Sequence, residues 1–317
     1  MSAIVTSEAK CRDCYKCIRH CPVKAIGISD DQAAVVEEKC ILCGKCVLIC
    51  PQQAKSSSSR INNFDGYLKN KEKIAVSIAP SYLALADYMT PWKMIAVLRE
   101  MGVSIIEETA VAAEFVSKQY YSLMQQKSEK MGPLISSCCP TVVSLLKKEY
   151  PSLVKYIAPI KSPMLIHSEL LREKLGNDWK IVFIGPCFAK KEEPDWRSEK
   201  NSIDLVLDFV ELINYIENNK LGINLKSINN KDSYPDLSAK WGRKYPLERG
   251  ILSTAGLDDS ILSNKISVSG LEAVQDVLLD LETGSIRPVF LELLACRGGC
   301  IGGPAMGNKM GIAARRN

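Results

Sequence analysis

The stretch that organises this chain runs Phe290-Leu291-Glu292-Leu293-Leu294-Ala295-Cys296-Arg297-Gly298-Gly299-Cys300-Ile301-Gly302-Gly303. It begins as an apolar run rich in leucine, which is typical of a buried strand. Two cysteines follow, with glycines between and after them. Glycine has no side chain, so the backbone can turn sharply and approach a large ligand closely. The pattern predicts a metal cluster held at the end of a strand. The alternative is a tight turn with two buried free cysteines.

The composition favours a soluble enzyme-sized protein. The chain has 317 residues, 46% of them hydrophobic, and a net charge of +5. That is enough for a real core and for more than one domain. A dedicated nucleic-acid binder would show a clustered basic stripe, and none is present. The N-terminus lacks an apolar signal core, and no stretch is long and apolar enough to cross a bilayer. We therefore expect a cytoplasmic protein that binds neither nucleic acid nor membrane.

Eight of the thirteen cysteines lie before residue 51 and form one pattern written twice. Each copy reads C-x2-C-x2-C-x3-C-P and resembles the run of bacterial two-cluster ferredoxins, in which the fourth cysteine ligates the other cluster. The resemblance implies two [4Fe–4S] clusters that transfer single electrons. A four-thiolate zinc site is the alternative, although it leaves the proline after each run unexplained. The first cluster would take Cys11, Cys14, Cys17 and Cys50, and the second would take Cys40, Cys43, Cys46 and Cys21.

Four consecutive serines, Ser56 to Ser59, follow the ferredoxin-like run. Serines cannot pack a core, so the run predicts a domain boundary. We expect a small α+β ferredoxin-like domain over residues 1–60 and a second domain over residues 61–317.

Strands alternate with helices in the second domain, which predicts α/β layers with largely parallel sheets. Strands are predicted at Lys73–Ala79, Met131–Ser136 and Trp179–Ile184, the last two leading into cysteines. Ligands of parallel sheets sit beyond the carboxyl ends of the strands. We therefore expect three strand ends, including the one before Cys296, to converge on one site.

Other segments are predicted from local signals. Val103–Ile106 reads as a short strand, and Glu107-Glu108 is expected to open a helix. Val268–Thr283 has helical spacing, with Gly284 as a stop signal. The polar segment 221–250 reads as a surface excursion. The two histidines, His20 and His167, lack ligand spacing and are predicted to be structural or exposed.

Three further motifs contain the remaining cysteines. They are Ser136-Ser137-Cys138-Cys139-Pro140, Gly185-Pro186-Cys187-x2-Lys190-x2-Glu193 and Glu292-x2-Ala295-Cys296-x-Gly298-Gly299-Cys300-x-Gly302-Gly303. Together they resemble the active-site signatures of [FeFe]-hydrogenases, in the order that this family has. With the ferredoxin-like run, the resemblance covers nearly the whole chain. It implies an α/β domain of two lobes, each a mainly parallel sheet flanked by helices.

The resemblance implies an H-cluster, which is a [4Fe–4S] cubane joined through a cysteine sulfur to a diiron subsite with CO, cyanide and a bridging azadithiolate. The activity would be reversible, heterolytic H2 oxidation and proton reduction. Loading the diiron subsite would need a dedicated maturation machinery. By motif position, the cubane ligands would be Cys139, Cys187, Cys296 and Cys300, with Cys300 as the bridge.

Several other residues match family positions around that cofactor. Cys138 matches a cysteine that shuttles protons, and Lys190 matches a lysine that bonds cyanide, with Glu193 placed to hold it. Ala79, Pro80 and Ser81 match a loop that covers the diiron ligands. Pro186, Leu294 and Gly302 fall at positions that border the cofactor.

The sequence also departs from the fast members of the family. Their protons pass through a glutamate, a serine and a second glutamate. Here Glu108 matches the outer glutamate, but Val111 and Ala158 stand at the inner glutamate and serine positions. Leu294 and Gly185 replace methionines. These changes resemble the sensory branches, which implies slow turnover, hydrogen sensing, and coupling to a redox partner protein or a downstream signalling domain.

Two alternatives remain open. NARF-like proteins of iron–sulfur assembly share the cubane ligands without the diiron subsite, but they usually have one cysteine where Cys138 and Cys139 stand here. A plain electron-transfer protein with three [4Fe–4S] clusters would leave Cys138 and Lys190 without a task.

Overall fold

The structure is a computed structural model, and it describes residues 4–29, 31–85, 89–126, 132–196, 202–222, 234–256, 264–307 and 310–316. The start of the predicted strand at Met131 and part of the segment 221–250 lie outside these ranges.

The N-terminal region has two short antiparallel sheets, in which β1 pairs with β4 and β2 pairs with β3. Each of its two α-helices begins within a cysteine run. The elements are β1 Ile4–Thr6, α1 Lys16–Arg19, β2 Ile26–Ser29, β3 Gln32–Val35, α2 Lys45–Ile49 and β4 Lys55–Ser57, with a 3-10 helix at Glu8–Lys10.

The rest of the chain alternates strands and helices, as predicted. The elements to residue 222 are α3 Ile61–Lys69, β5 Lys73–Ile78, α4 Pro91–Glu100, β6 Ile105–Glu108, α5 Ala110–Gln126, β7 Leu134–Ile135, α6 Pro140–Glu149, α7 Pro163–Leu175, β8 Trp179–Gly185, α8 Glu193–Trp196, β9 Leu205–Asp208 and α9 Phe209–Asn218. The later ones are α10 Gly250–Thr254, β10 Lys265–Ser269, α11 Leu271–Glu282, β11 Phe290–Leu294 and α12 Ile312–Arg316. Short 3-10 helices lie at Pro80–Ala84, Pro151–Tyr156, Phe188–Lys191, Gly242–Lys244 and Cys300–Gly302.

These strands form two parallel sheets. One has the order β6-β5-β8-β9 and the other the order β10-β11-β7, and every pairing in both is parallel. Most residues of β5 and β8, and all of β9 and β11, are buried, because helices cover the sheets. The predicted fold class, two lobes of parallel sheet flanked by helices beside a small ferredoxin-like region, is confirmed.

Two local predictions were wrong. Glu107 and Glu108 do not open a helix but end β6, where they pair with Ser77 and Ile78 of β5. Val268 lies in β10, and the helix after it starts at Leu271. In both cases sheet pairing with a distant strand decided the conformation, and local helical spacing did not reveal that pairing.

The serine run is held firmly against the second domain. Ser57 Oγ donates to Asp208 Oδ2 at 2.6 Å. Lys191 has no exposed side-chain surface and contacts Asp208, Glu211 and the Ser58 carbonyl oxygen. The expected domain boundary therefore carries a buried ionic contact between the two parts of the chain.

Within the described ranges, none of the helices combines the length and apolar character that a membrane crossing requires.

Candidate functional site

Three strand ends of the second domain deliver five cysteines to one place. Cys138 and Cys139 follow β7 and precede α6, whose first residue is Pro140. Cys187 follows β8, and Cys296 follows β11. β7 and β11 end at the same edge of one parallel sheet, β8 ends at the carboxyl edge of the other sheet, and the loops that follow the three strands line one cavity.

A cavity of about 810 Å³, partly open to solvent, lies between these loops. All five cysteines and Lys190 line it, as do five of the six residues predicted to border a cofactor: Ala79, Pro80, Ser81, Pro186 and Leu294. Gly302 does not line it. A Cβ at Gly302 would lie 2.1 Å from the Arg297 carbonyl oxygen, so the glycine lets the chain pack on itself behind the wall. Gly299 and Gly303 form the wall instead.

Burial makes the thiols of this cavity hard to ionise. It raises the pKa of Cys187 and of Cys300 to about 12, with nearby cysteines adding to the rise. The pKa values of Cys139 and Cys296 are raised for the same first reason. Four thiolates can exist together here only beside a strong positive charge, which an iron cluster supplies. Among the described residues no group of three or more His, Cys, Asp or Glu side chains is arranged to hold a single metal ion.

Lys190 enters the cavity from the 3-10 helix that follows Cys187. Its Nζ donates to Glu193 Oε2 at 2.6 Å and to the Cys138 carbonyl oxygen at 3.4 Å. Glu193 is 1% exposed, and its Oε1 has no hydrogen-bond partner in the described part of the chain. The ammonium is therefore held at the cavity wall and can bond an anionic ligand there.

The loop after β5 covers another wall. Ala79 N donates to the Ile184 carbonyl oxygen at 2.8 Å, which carries the backbone from the sheet into the 3-10 helix Pro80–Ala84. Ser81 is 1% exposed, and its Oγ has no partner among the described residues. A buried hydroxyl costs free energy unless it is bonded. A polar ligand in the cavity would satisfy it.

Glu108 was expected at the outer end of a proton chain, but its side chain has no exposed surface. Its carboxylate accepts hydrogen bonds from Tyr82 Oη at 2.9 Å, from Arg243 Nη2 at 2.7 Å and from Ala239 N at 3.2 Å. The sequence motif could not reveal Arg243, which comes from a distant polar segment. The ion pair of Glu108 and Arg243 holds Tyr82 through its hydroxyl, and so fixes the loop that carries Ser81.

The segment predicted as a surface excursion returns to the site. Tyr245 and Pro246 line the cavity, and a Cβ at Gly242 would lie 2.0 Å from the Ala110 carbonyl oxygen. The polar composition of the segment gave no signal of this burial.

Two more functional candidates were missed. Thr109 lines the cavity. Glu292 is fully buried and accepts from Ile251 N with one carboxylate oxygen, while the other oxygen has no partner among the residues that the structure describes. Burial raises the pKa of Glu292 to about 7. Glu292 stood in the quoted motif, but its isolation inside the protein appears only in three dimensions.

Two smaller cavities lie in the ferredoxin-like region, and each is lined by one of the predicted sets of four cysteines. One set is Cys11, Cys14, Cys17 and Cys50, and the other is Cys21, Cys40, Cys43 and Cys46. The fourth cysteine of each run thus joins the other set, as the resemblance to ferredoxins implied.

The cavity of Cys43 faces the second domain. Cys21, Cys40 and Cys43 pack in one apolar cluster with Cys139. Gly44 lies so close to Pro304 that a Cβ would be 2.4 Å from Pro304 Cβ. The other cavity lies at the surface, where Cys14 is exposed. The three sites are therefore arranged from surface to interior.

Two protein-family models match the chain, and together they cover most of it. A family model described as the iron only hydrogenase large subunit, C-terminal domain, matches residues 72–304, and a 4Fe-4S dicluster domain model matches residues 3–51. The periplasmic [Fe] hydrogenase large subunit of Nitratidesulfovibrio vulgaris is 28% identical, over 93% of this chain and 84% of that protein.

Two further relatives match, one of which is described as an iron–sulfur assembly factor and the other as a hydrogenase subunit. A probable cytosolic Fe-S cluster assembly factor of Caenorhabditis elegans is 24% identical over 73% of this chain. An NADP-reducing hydrogenase subunit of Solidesulfovibrio fructosivorans is 25% identical over 67% of it. The chain spans 60% of the first of these proteins and 44% of the second.

Solved structures share the fold. The [FeFe]-hydrogenase HydA(deltaEFG) superposes with a TM-score of 0.62 at 18% identity, over 82% of this chain and 87% of that one. A variant of an [FeFe]-hydrogenase from Chlamydomonas reinhardtii superposes with a TM-score of 0.60 at 18% identity, over the same shares of the two chains. Because the first family model covers well over half of the residues, the chain belongs to the iron-only hydrogenase large subunit family.

Proposed function

We propose that this protein catalyses reversible H2 oxidation and proton reduction at an H-cluster, with electrons passing through two [4Fe–4S] clusters. The observation that carries the proposal is the single cavity in which five cysteines from three strand ends meet Lys190 and the unpartnered Ser81 hydroxyl. Four thiols account for a cubane, and the fifth, Cys138, remains beside the space left over.

The residues that line the cavity fit an H-cluster. Cys139, Cys187, Cys296 and Cys300 would hold the cubane, and the diiron subsite would occupy the remaining cavity. When bound, the diiron subsite supplies the chemistry that splits H2 into a proton and a hydride equivalent.

The chain's own groups would orient that cofactor and handle the proton. The Lys190 ammonium and the Ser81 hydroxyl would bond anionic ligands. Burial raises the pKa of Cys138, so its Sγ holds a proton at neutral pH and can donate it. Glu193 positions Lys190, and Glu108 positions the loop of Ser81 through Tyr82. The largely apolar wall would keep water away.

Electrons would travel along the three cluster sites. The outer site, with Cys14 exposed, would meet a redox partner protein or a signalling domain. The inner site would pass electrons to the cubane across the apolar cluster against which both Cys43 and Cys139 pack.

We further propose that turnover is slow and that the protein reports H2 rather than processing it in bulk. Val111 and Ala158 cannot carry protons, and Glu108 is neutralised by Arg243. H2 evolution as fast as that of metabolic hydrogenases would contradict this part of the proposal.

The second candidate function is that of a cluster protein without the diiron subsite, in iron–sulfur assembly or electron transfer. The match to assembly factors favours it. Infrared spectroscopy after maturation separates the two. We expect CO and cyanide bands in protein matured with the [FeFe] machinery, and no such bands without it. Intact cubanes with no bands after full maturation would establish the second candidate.

A further inference from the structure

A continuous chain of buried hydrogen bonds leads away from the cavity wall. Thr109, which lines the cavity, has its Oγ1 2.7 Å from Ser77 Oγ. Ser77 Oγ lies 2.8 Å from His167 Nδ1, and His167 Nε2 lies 3.3 Å from Glu107 Oε2. Glu107 Oε1 accepts from Lys174 Nζ at 2.8 Å, and the Lys174 side chain is 58% exposed. This series of hydrogen bonds therefore joins the cavity to the surface.

Rigid elements hold these groups in line. Ser77 and Glu107 are register partners in the parallel pair β5 and β6, and Thr109 N donates to the Ile78 carbonyl oxygen at 2.9 Å. His167 and Lys174 are two turns apart on α7, which packs across the sheet. Thr109, Ser77, His167 and Glu107 are each at most 4% exposed.

The hydrogen bonds of this series all run in one direction, with each donor on the cavity side of its acceptor except at Lys174. The hydrogen bond from His167 is the first cause that lowers the pKa of Glu107, so Glu107 is a carboxylate and can only accept. His167 then carries its hydrogen on Nε2, and Nδ1 accepts from the Ser77 hydroxyl. Ser77 has one hydrogen, so its oxygen must accept from Thr109. The Thr109 oxygen keeps a lone pair available toward the cavity.

Few charged groups of the described residues surround the imidazole ring of His167. Among the described residues, β6 contributes Glu107 and α7 contributes Lys174, while β5 contributes only the Ser77 hydroxyl. Helix α5 also packs on α7, and in the described part of the chain its charged residues Glu114 and Lys118 form no ion pair with the ring or with Glu107.

We propose that Thr109, Ser77, His167 and Glu107, here named the His167 relay, carry protons between the cavity and the surface. The proposal rests on the proposed hydrogenase function, which needs a proton exit that Val111, Ala158 and the paired Glu108 do not provide.

The transfer is balanced in protons and moves no electrons. A proton from the cavity binds Thr109 Oγ1, the Thr109 hydroxyl proton passes to Ser77, and the Ser77 proton passes to His167 Nδ1. The Nε2 proton passes to Glu107, which releases it to solvent beside Lys174. Imidazole suits this step because it accepts at one nitrogen and donates from the other. The hydroxyls and the ring must then turn back, which a fully buried ring does slowly.

Two pairs of variants test the relay in the full-length matured protein. Thr109→Val removes the hydroxyl with little change of shape, and Thr109→Ser restores it. His167→Gln removes the ring, and His20→Gln is the matched control, because His20 is exposed and its Nδ1 bonds the Lys16 carbonyl oxygen of its own helix region.

We expect Thr109→Val and His167→Gln to lower H2 evolution by roughly 10- to 100-fold. Thr109→Ser and His20→Gln should keep at least half of the wild-type rate. Iron content and the CO and cyanide bands should be the same in all of them. Wild-type rates and pH profiles in both Thr109→Val and His167→Gln, with the bands intact, would overturn the relay. Absence of the bands in wild-type protein would instead overturn the proposed function.

A second readout does not depend on activity. The chain has two histidines, so ¹⁵N-histidine NMR shows two imidazoles, which His20→Gln assigns. We expect His167 as the Nε2–H tautomer, and a change of its ¹⁵N chemical shifts in Ser77→Ala while those of His20 stay the same. An Nδ1–H tautomer in wild-type protein, or a His167 signal unaffected by Ser77→Ala, would contradict the proposed direction of the relay.

Discussion

Lys190 Nζ lies 2.6 Å from Glu193 Oε2, and this pair sits between the cavity and the start of α8. The Lys190 side chain is 12% exposed and that of Glu193 is 1% exposed, so water screens their attraction little. A lysine held in this way keeps its charge directed at the cavity, and removing its partner should have a larger effect than breaking a surface pair.

Glu193→Gln should lower the amount of diiron subsite that the matured protein retains by about tenfold or more, because Lys190 loses its charge-assisted bond. The measurement is the intensity of the CO and cyanide infrared bands per protein. Glu192→Gln is the matched control, since Glu192 pairs with Arg60 away from the cavity. Equal band intensities in the two variants would show that Glu193 does not position Lys190.

Cys296→Ala and Cys138→Ala should differ in iron content. Protein that is loaded with [4Fe–4S] clusters, but without the maturation machinery for the diiron subsite, should carry about twelve irons, four for each cubane. Cys296→Ala should lose about four of them, because a ligand is gone, whereas Cys138→Ala should lose none. Iron analysis and electron paramagnetic resonance check this. An equal loss in both variants would mean that Cys138 is a ligand and not the free thiol beside the cubane.

Glu292 should make stability depend on pH. Burial raises its pKa from 4.5 to about 7, so the folded protein binds more protons than the unfolded chain between these values. Its stabilising contribution is therefore present at low pH and is lost as pH rises through this window, by up to about 3 kcal/mol. In Glu292→Gln this loss should be absent. Denaturant unfolding across the pH range measures it.

The control for that experiment is Glu272→Gln, because the Glu272 side chain is 88% exposed. Its unfolding free energy should follow the wild-type pH curve. A Glu292→Gln curve that also runs parallel to wild type would show that Glu292 has an ordinary pKa in the loaded protein.

Gly44→Ala should disturb the contact between the inner cluster site and the second domain. Gly44 has φ +71°, and an added Cβ would lie 2.9 Å from Phe188 Cδ2 as well as 2.4 Å from Pro304 Cβ. Overpacking of this kind costs about 1–3 kcal/mol. We expect a lower melting temperature and slower reduction of the cubane in rapid-freeze spectroscopy.

Gly27→Ala is its matched control, because a Cβ there meets nothing within 4 Å. It should melt close to wild type and reduce its cubane at the wild-type rate. A Gly44→Ala protein indistinguishable from Gly27→Ala would mean that the two parts of the chain are not pressed together at this point.

The sequence alone determined the features that short-range patterns encode. The paired cysteine runs, the alternation of strands and helices, and the three motifs at strand ends were all readable, and together they indicated the fold class and the cysteines of each site. Such features depend on a few residues at fixed spacing, and the rule that parallel strands end at one edge then brings them together.

Only the tertiary structure decided which distant groups meet those motifs. Arg243 neutralises Glu108, Lys191 fixes the serine run, and His167, which looked like a lone histidine, joins Ser77 to Glu107. No fixed spacing in the sequence marks these contacts, because each joins segments that sheet pairing and helix packing bring together. The cysteines that line each cavity could therefore be predicted, whereas the proposed path of the protons depends on hydrogen bonds that exist only once the chain has folded.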